Sequence, residues 1–330
     1  MSNQGDFSAI PVIDLAPIFE PEGDIQSVAN AIQKAYTNVG FAYLINHSVP
    51  QDLIDGAFQA SADFHALPRP EKMALEINQW HRGFIPINTS TPKTSSVAKV
   101  TKPNQSESFM VMHDLPEDDP DVLSGIDLAG PNQWPKSLPA FKPAVIGYVN
   151  AMNELARKIT SVIEIALDAP KGSLRPAFDR PTTFLRMLYY PPQPAQSPDD
   201  LFGSAPHTDY GFITLLVQDD VGGLQVRNVH GEWIDAPYMP GAFVMNAGDI
   251  LHRWSNGHFI STPHRVINTS GRERYSIPFF FDPDMHADVV PLESCVAEGE
   301  SAAYHPVVYG DYLMARLRAN HDQHKDKDDG

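Results

Sequence analysis

The residues best suited to chemistry lie between positions 205 and 281. His207 and Asp209 stand two apart in Ala205-Pro206-His207-Thr208-Asp209-Tyr210-Gly211, and His264 follows 57 positions after His207 in Ser261-Thr262-Pro263-His264-Arg265-Val266. Residues two apart on a strand point to one face. His207 and Asp209 are therefore expected to share a strand face, with His264 on another strand. Two imidazoles and one carboxylate on one side of an octahedral ion leave three positions open, as an Fe(II) that must also take a co-substrate and O2 requires. A His-x-Asp pair taken alone is more often a hydrogen-bonded surface or core pair.

A second pair follows. Arg274 and Ser276 are also two apart, ten residues beyond His264, in Arg274-Tyr275-Ser276-Ile277-Pro278-Phe279-Phe280-Phe281. An arginine fork and a serine hydroxyl match a carboxylate, and an arginine buried on a strand is costly unless it meets an anion. A structural ion pair with an Asp or Glu is the alternative for Arg274 alone.

These residues need strands to hold them. From Thr183 onward the apolar period changes from 3.6 to 2, and short strands are expected over 184–190, 212–218, 223–226, 242–246, 264–268 and 276–282, joined by turns rich in Gly, Asp and Asn. Evenly spaced short strands of this kind argue for a sandwich or jelly roll. Upstream, residues 10–15 and 39–47 read as strands, and 24–38 and 52–66 as helices. This opening lacks a Gly-rich phosphate loop, which argues against nucleotide binding. The clearest helix is expected over 141–168, with Val145, Met152, Leu155, Ile159, Val162 and Ala166 on one stripe. A last helix is expected over 309–319. The fold class is thus α+β with a mainly β core, a double-stranded β-helix (jelly roll) with flanking helices packed on one face. The divisions are an N-terminal strand and helix region over 1–139, with a lid-like insertion at about 81–139 that holds one strand at 107–111, then the jelly-roll core with its helices over 140–319, and a charged, frayed tail over 320–330. All of it is expected to form one compact unit.

Composition narrows the partners. The chain has 330 residues and a formal net charge of −17; a field of that sign repels phosphate backbones and anionic lipid, so neither nucleic acid nor membrane is expected. No apolar run reaches the length of a membrane span, and the polar first nine residues lack the order of a signal peptide. The single cysteine, Cys295, rules out an intrachain disulfide and suits a reducing cytoplasm. Thirty prolines disfavour an all-helical fold. Oligomeric state is not legible.

Taken together, the motifs are similar to those of the isopenicillin N synthase-like group of Fe(II)- and 2-oxoglutarate-dependent oxygenases, over nearly the whole chain. Ile10-Pro11-Val12-Ile13-Asp14-Leu15 and Gly40-Phe41-Ala42-Tyr43-Leu44-Ile45-Asn46-His47 resemble the family's opening segments, and His207-Thr208-Asp209, Asn246-Ala247-Gly248-Asp249, His264-Arg265-Val266 and Arg274-x-Ser276 match its core in order and spacing. The resemblance implies that His207, Asp209 and His264 bind Fe(II). It implies too that Arg274 and Ser276 bind the distal carboxylate of 2-oxoglutarate, with Tyr190 adding its hydroxyl. Many plant members have Asn where Leu188 stands. The implied reaction couples decarboxylation of 2-oxoglutarate to succinate with O2-dependent oxidation, most simply hydroxylation, of an unactivated C–H bond in a small molecule.

Strand alternation extends the map. If Tyr190 faces the pocket, so does Arg186; if Arg274 and Ser276 face it, so do Phe280 and Asp282; Tyr210 hangs at the mouth. Arg186, Tyr210, Phe280 and Asp282 are the expected substrate contacts, suited to a small polar ring or an oxygenated acid, unless Arg186 and Asp282 pair with each other. The closest local likeness is to microbial members including pyrimidine-methyl hydroxylases, which carry Asn where Asp282 stands, so thymine is not the expected substrate. Arg82-Gly83-Phe84 and Glu107-Ser108-Phe109 are candidate lid contacts. His47 is expected to cap or pack a turn, and His230, His252 and His258 lie outside the ligand spacing. Two alternatives stand beside this reading. One is a non-haem iron oxidase on the same fold that does not use 2-oxoglutarate, and the other is a non-catalytic small-molecule binding protein. Zinc hydrolysis would fit the ligands but leave Arg274 unexplained.

Overall fold

The computed structural model describes residues 4–89, 100–193, 198 and 200–320. The expected tail from 321 onward and the part of the 81–139 segment between 90 and 99 lie outside the described residues.

Among the described residues, twelve strands build two facing sheets. They are β1 (Val12–Asp14), β2 (Phe41–Ile45), β3 (Gly83–Ile85), β4 (Glu107–Met112), β5 (Thr182–Tyr190), β6 (Ser204–His207), β7 (Ile213–Gln218), β8 (Leu224–Arg227), β9 (Trp233–Asp235), β10 (Phe243–Ala247), β11 (His264–Val266) and β12 (Arg274–Asp282). The major sheet runs β1-β2-β10-β7-β12-β5-β4-β3 and the minor sheet β6-β11-β8-β9. Of these strands only β1 and β2 pair in parallel; the other pairs within the two sheets are antiparallel. This is the jelly roll expected from the spacing of short strands.

The helices are α1 (Ile25–Asn38), α2 (Gln51–His65), the short α3 (Arg69–Met73) and α4 (Pro120–Leu123), α5 (Phe141–Ala166), α6 (Asp249–Trp254) and α7 (Tyr309–Asn320). Asp24 caps α1 by accepting from the Ser27 N–H at 3.0 Å. Gly40, at φ +74°, ends it in the left-handed conformation that a side chain disfavours. The long helix stops at Ala166, two residues earlier than expected, because Asp168 itself turns left-handed at φ +51°. Its predicted stripe is buried throughout.

The alternation of β5 and β12 separates two cores. Leu185, Met187, Ile277, Phe279 and Phe281 face outward and pack with Val28, Ile32, Phe64, Val145 and Ile159 of α1, α2 and α5. Leu188 and Tyr190 face inward, between the sheets, with Phe41, Tyr43, Leu224, Val226 and Val266. Each fully buried large apolar side chain is worth about 1.5–3 kcal/mol relative to exposure. The helix layer thus fixes one face of the major sheet and leaves the other to form the interior of the roll.

Within the segment 81–139 two strands join the major sheet. β3 and β4 extend the major sheet beyond β5, with Phe84 and Phe109 fully buried against Phe64 and Phe141. β4 is buried on both faces, so its sequence shows no alternation. Glu107 points to the helix side, where Lys72 and His65 bind it. Arg82 is fully buried and donates to the carbonyls of Trp80, Leu128 and His113; it binds three stretches of loop together.

Candidate active site

His207 and His264 are directly opposite one another across β6 and β11. Their ring centroids lie 4.3 Å apart, and the Phe41 ring packs edge-on against His264. Asp209 does not share the strand of His207. β6 ends at His207, and Asp209 sits in the turn that carries the chain from the minor to the major sheet. The turn places it where a strand residue could not go, within reach of both histidines and of the major sheet. Its Oδ1 is 3.7 Å from Nε2 of His207 and 3.7 Å from Nε2 of His264. Among the described residues this is the one cluster of three or more His, Cys, Asp or Glu able to hold a metal.

The surroundings set the state of each ligand. Nδ1 of His207 faces the Ala205 carbonyl at 2.7 Å and Nδ1 of His264 the Thr262 carbonyl at 3.3 Å. Each nitrogen that donates to a carbonyl leaves Nε2 as the lone-pair atom. Burial, with the charge of His264 beside it, holds the His207 imidazole below its ordinary pKa. Burial alone would raise the Asp209 pKa, but the histidine charges and hydrogen bonds from Thr214 Oγ1 (2.5 Å) and Asn246 Nδ2 (2.7 Å) bring it below the carboxylate norm. Both donors go to Oδ2, so Oδ1 is free for an ion. Two imidazole nitrogens and a carboxylate oxygen are the donor set that a divalent iron takes, and the residues fit it.

Arg274 lies deeper in the roll, on β12. It is fully buried, yet no described carboxylate lies within 4.0 Å of it. Its Nη1 donates to Ser276 Oγ at 3.1 Å, Nη2 to Gln218 Oε1 at 3.1 Å and Nε to the Gly222 carbonyl. Its guanidinium lies 4.6 Å from the centroid of the Tyr190 ring, the residue paired with it across β5. The Tyr190 hydroxyl has no partner among the described residues. A buried cation with a serine hydroxyl on its fork, a tyrosine ring against it and no anion fits a carboxylate brought from outside.

Beside His207 and Asp209 lies a cavity of about 130 Å³. Arg186, Tyr210, Phe280 and Asp282 all line it, together with His207 and Asp209. Arg186 and Asp282 do not pair. Arg186 Nε donates to Ser108 Oγ at 2.9 Å, whereas Asp282 accepts from the Phe212 N–H on Oδ1 and from the Tyr309 hydroxyl on Oδ2. Asp282 therefore ties β12 to the turn after Asp209 and to α7, and the absence of a side chain at Gly211 makes room for it. His47 packs 4.3 Å from Phe243 and accepts the Val49 N–H, as a turn residue. His230, His252 and His258 bind other groups.

Several residues of the site were not assigned from sequence. Thr214 and Gln218 are inward positions of β7, four residues apart on one alternating face, and that face is the signal that could have found them. Asn246 stood in a recognised motif without a role. Leu313 and Leu317 of α7 line the cavity, and no local pattern points to them.

Two family models match the chain: the 2OG-Fe(II) oxygenase superfamily over residues 181–283 and the non-haem dioxygenase in morphine synthesis N-terminal region over residues 10–137. A 2-oxoglutarate-Fe(II) type oxidoreductase, hxnY, of Emericella nidulans is 33% identical, covering 95% of this chain and 91% of its own. A homoarginine-6-hydroxylase of Glycine max is 32% identical over 96% of this chain and 98% of its own. The crystal structure of a full-length Neurospora crassa protein in complex with α-ketoglutarate and thymine superposes with a TM-score of 0.83 at 28% identity, over 94% of this chain and 96% of that one. The chain belongs to the 2OG-Fe(II) oxygenase superfamily, in its isopenicillin N synthase-like group, and is an Fe(II)- and 2-oxoglutarate-dependent oxygenase of a small organic molecule.

Proposed function

We propose that His207, Asp209 and His264 hold the Fe(II), that Arg274, Ser276 and Tyr190 hold the distal carboxylate of 2-oxoglutarate, and that the substrate occupies the cavity walled by Arg186, Tyr210 and Phe280. Asp282 belongs to that wall through the contacts it makes to Phe212 and Tyr309. The observation that carries this reading is Arg274: a fully buried cation, without a carboxylate partner, on the interior face that leads to the histidines. The iron centre with its co-substrate supplies the oxidising power. 2-Oxoglutarate and O2 give succinate and CO2, and the second oxygen atom goes to a substrate C–H bond, most simply as hydroxyl. The protein's own residues orient and exclude water. Thr214 and Asn246 fix which oxygen Asp209 presents, Arg274 and Ser276 fix one end of the co-substrate, and the cavity brings one C–H bond toward the ligand cluster.

The substrate itself does not follow from the relatives. One is named for homoarginine and another is bound to thymine, which share neither shape nor charge. No helix among the described residues is long and apolar enough to cross a membrane. The free Cys295 supports a cytoplasmic setting.

The test is an anaerobic titration of Fe(II) and 2-oxoglutarate, read by the weak visible charge-transfer band of the bound pair, on wild type and Arg274→Ala. The expected result is a band in wild type that weakens in the variant, with succinate released once O2 is admitted. Bound iron without a band supports the oxidase alternative. Failure to bind iron defeats the assignment.

A further inference from the structure

The cavity is asymmetric, and the asymmetry selects a class of substrate. On one side stands Arg186, from β5. Its Nε is held by Ser108 Oγ at 2.9 Å, which fixes the plane of the guanidinium. Among the described residues its two terminal nitrogens have no hydrogen-bond acceptor, and no carboxylate lies within 4.0 Å. Asp282, the one acid that shares the cavity wall apart from the ligand Asp209, is occupied by Phe212 and Tyr309. This half-buried fork opens into the cavity, and its geometry favours a carboxylate.

The distal carboxylate of the co-substrate does not account for Arg186. Arg274 pairs with Tyr190 in the register, four residues along β5 from Arg186. At about 3.3 Å per residue the two rows are roughly 13 Å apart, too far for the carboxylate held by Arg274 to serve both.

Next to Arg186 the wall turns apolar: Met110 pairs with Arg186 across β4 and β5, Phe184 and Phe280 follow on the same face of the sheet, and Leu313 and Leu317 come from α7. The two leucines are four apart and share a helix face. α7 is tied to the metal's surroundings at two points. Tyr309 donates to Asp282 Oδ2 at 2.8 Å, and Asp282 Oδ1 accepts the Phe212 N–H. Tyr312 donates to Asp249 Oδ2 at 2.9 Å, with Arg316 Nη2 at 3.3 Å from the same oxygen, and the Asp249 N–H donates to the Asp209 carbonyl. The leucines are thereby set at a fixed depth relative to Asp209.

Building on the cavity's proposed role as the substrate site, we infer that the substrate is a small carboxylic acid with a compact apolar body, its carboxylate on Arg186 and its apolar end capped by Leu313 and Leu317, which set its length. Asp282 is a positioning residue that acts through Tyr309.

The test uses the Fe(II)-loaded enzyme with 2-oxoglutarate and two matched probe series: straight-chain monocarboxylates from butanoate to octanoate with phenylacetate and phenylpropanoate, and the primary amides of the same acids. Binding is read anaerobically by thermal shift, and turnover by succinate released above the rate without probe. The expected result is that acids of one narrow length range bind and their amides do not. Arg186→Gln weakens acid binding by about thirtyfold or more, with Arg186→Lys in between and 2-oxoglutarate affinity unshifted. Leu317→Ala moves the preferred length upward, and Leu317→Phe moves it downward. Equal binding of acids and amides, no binding of any acid, an unmoved length preference in both leucine variants, or a parallel loss of 2-oxoglutarate affinity in Arg186→Gln overturns the inference. Succinate formed without any probe reports separately on 2-oxoglutarate use, so failure of that reading is distinguishable from failure of this one.

Discussion

Asn246 Nδ2 stands 2.7 Å from Asp209 Oδ2, so a strand of the major sheet holds the carboxylate that faces two histidines of the minor sheet. The hydrogen bond takes one lone pair of Oδ2, Thr214 takes another, and Oδ1 is left to the histidine side. The cluster of His207, Asp209 and His264 is therefore assembled only when the two sheets are in register. Asn246→Ala should leave the fold in place and weaken Fe(II) binding by about tenfold to a hundredfold, as loss of a ligand-orienting hydrogen bond does. Anaerobic Fe(II) titration checks this, and an unchanged affinity would show that Thr214 alone suffices.

Arg274 makes three hydrogen bonds to neutral groups and none to an acid. In the proposed assignment its partner in charge is the distal carboxylate of the co-substrate. 2-Oxoglutarate at a hundred times its Kd should stabilise the wild type by about 2.7 kcal/mol. If Arg274→Lys, with its point charge in place of a fork, binds a hundredfold more weakly, the same concentration gives only about 0.4 kcal/mol. Thermal unfolding with and without 2-oxoglutarate measures both. An equal shift in the two proteins would remove Arg274 from the co-substrate site.

The legible parts of this site were those governed by alternation. Positions 186 and 190 on β5, and 274, 276, 280 and 282 on β12, fall on the inner face as a period of two requires. Alternation failed at Asp209 because β6 ends at His207 and the ligand occupies a turn, whose direction no period specifies. It was silent for β4, whose two faces are both buried. The hydrogen bonds of Asp282 were not legible for a different reason. Its partners, Phe212 and Tyr309, lie 70 and 27 positions away, and no local pattern records which of two polar neighbours a buried carboxyl will meet. The leucines of α7 were missed likewise, since their helix is placed by Asp249 and Asp282 rather than by a stripe of its own.

Glu107 is the hinge of a buried charged group on the helix side. Its Oε1 accepts from Lys72 Nζ at 2.5 Å and lies 3.0 Å from His65 Nδ1. Burial raises its pKa, but the hydrogen bonds from His65 and Lys72 outweigh it, and the net shift is downward. A carboxyl with a depressed folded pKa contributes stability above its unfolded value, near 4.5, and loses that contribution as pH falls through the folded value. Glu107→Gln should thus cost about 2 kcal/mol at pH 7, below the range for fully buried pairs because part of the group is solvated. The difference from wild type should shrink below pH 4.5. Urea unfolding at pH 7 and pH 4 gives the comparison, and a constant difference would mean that packing rather than charge is lost.

Asp282 should behave in the opposite sense. Burial pushes its carboxyl up to about 7 from an ordinary 3.8, against the hydrogen bonds from Phe212 and Tyr309 and with the help of the Asp209 charge. A raised folded pKa gives stability that is complete below 3.8 and is lost as pH rises toward about 7. At about 1.4 kcal/mol per unit the window is worth a few kcal/mol. Asn in this place keeps an acceptor for the Phe212 N–H and can donate to the Tyr309 oxygen, without a charge to desolvate. The metal-free wild type should therefore lose stability between pH 5 and pH 7 relative to Asp282→Asn, and the variant should be the more stable of the two at pH 8. Melting temperatures across that range decide it. Parallel profiles would mean that Asp282 is already ionised in the folded protein, and that the two donors hold a carboxylate at the base of α7 rather than a neutral acid.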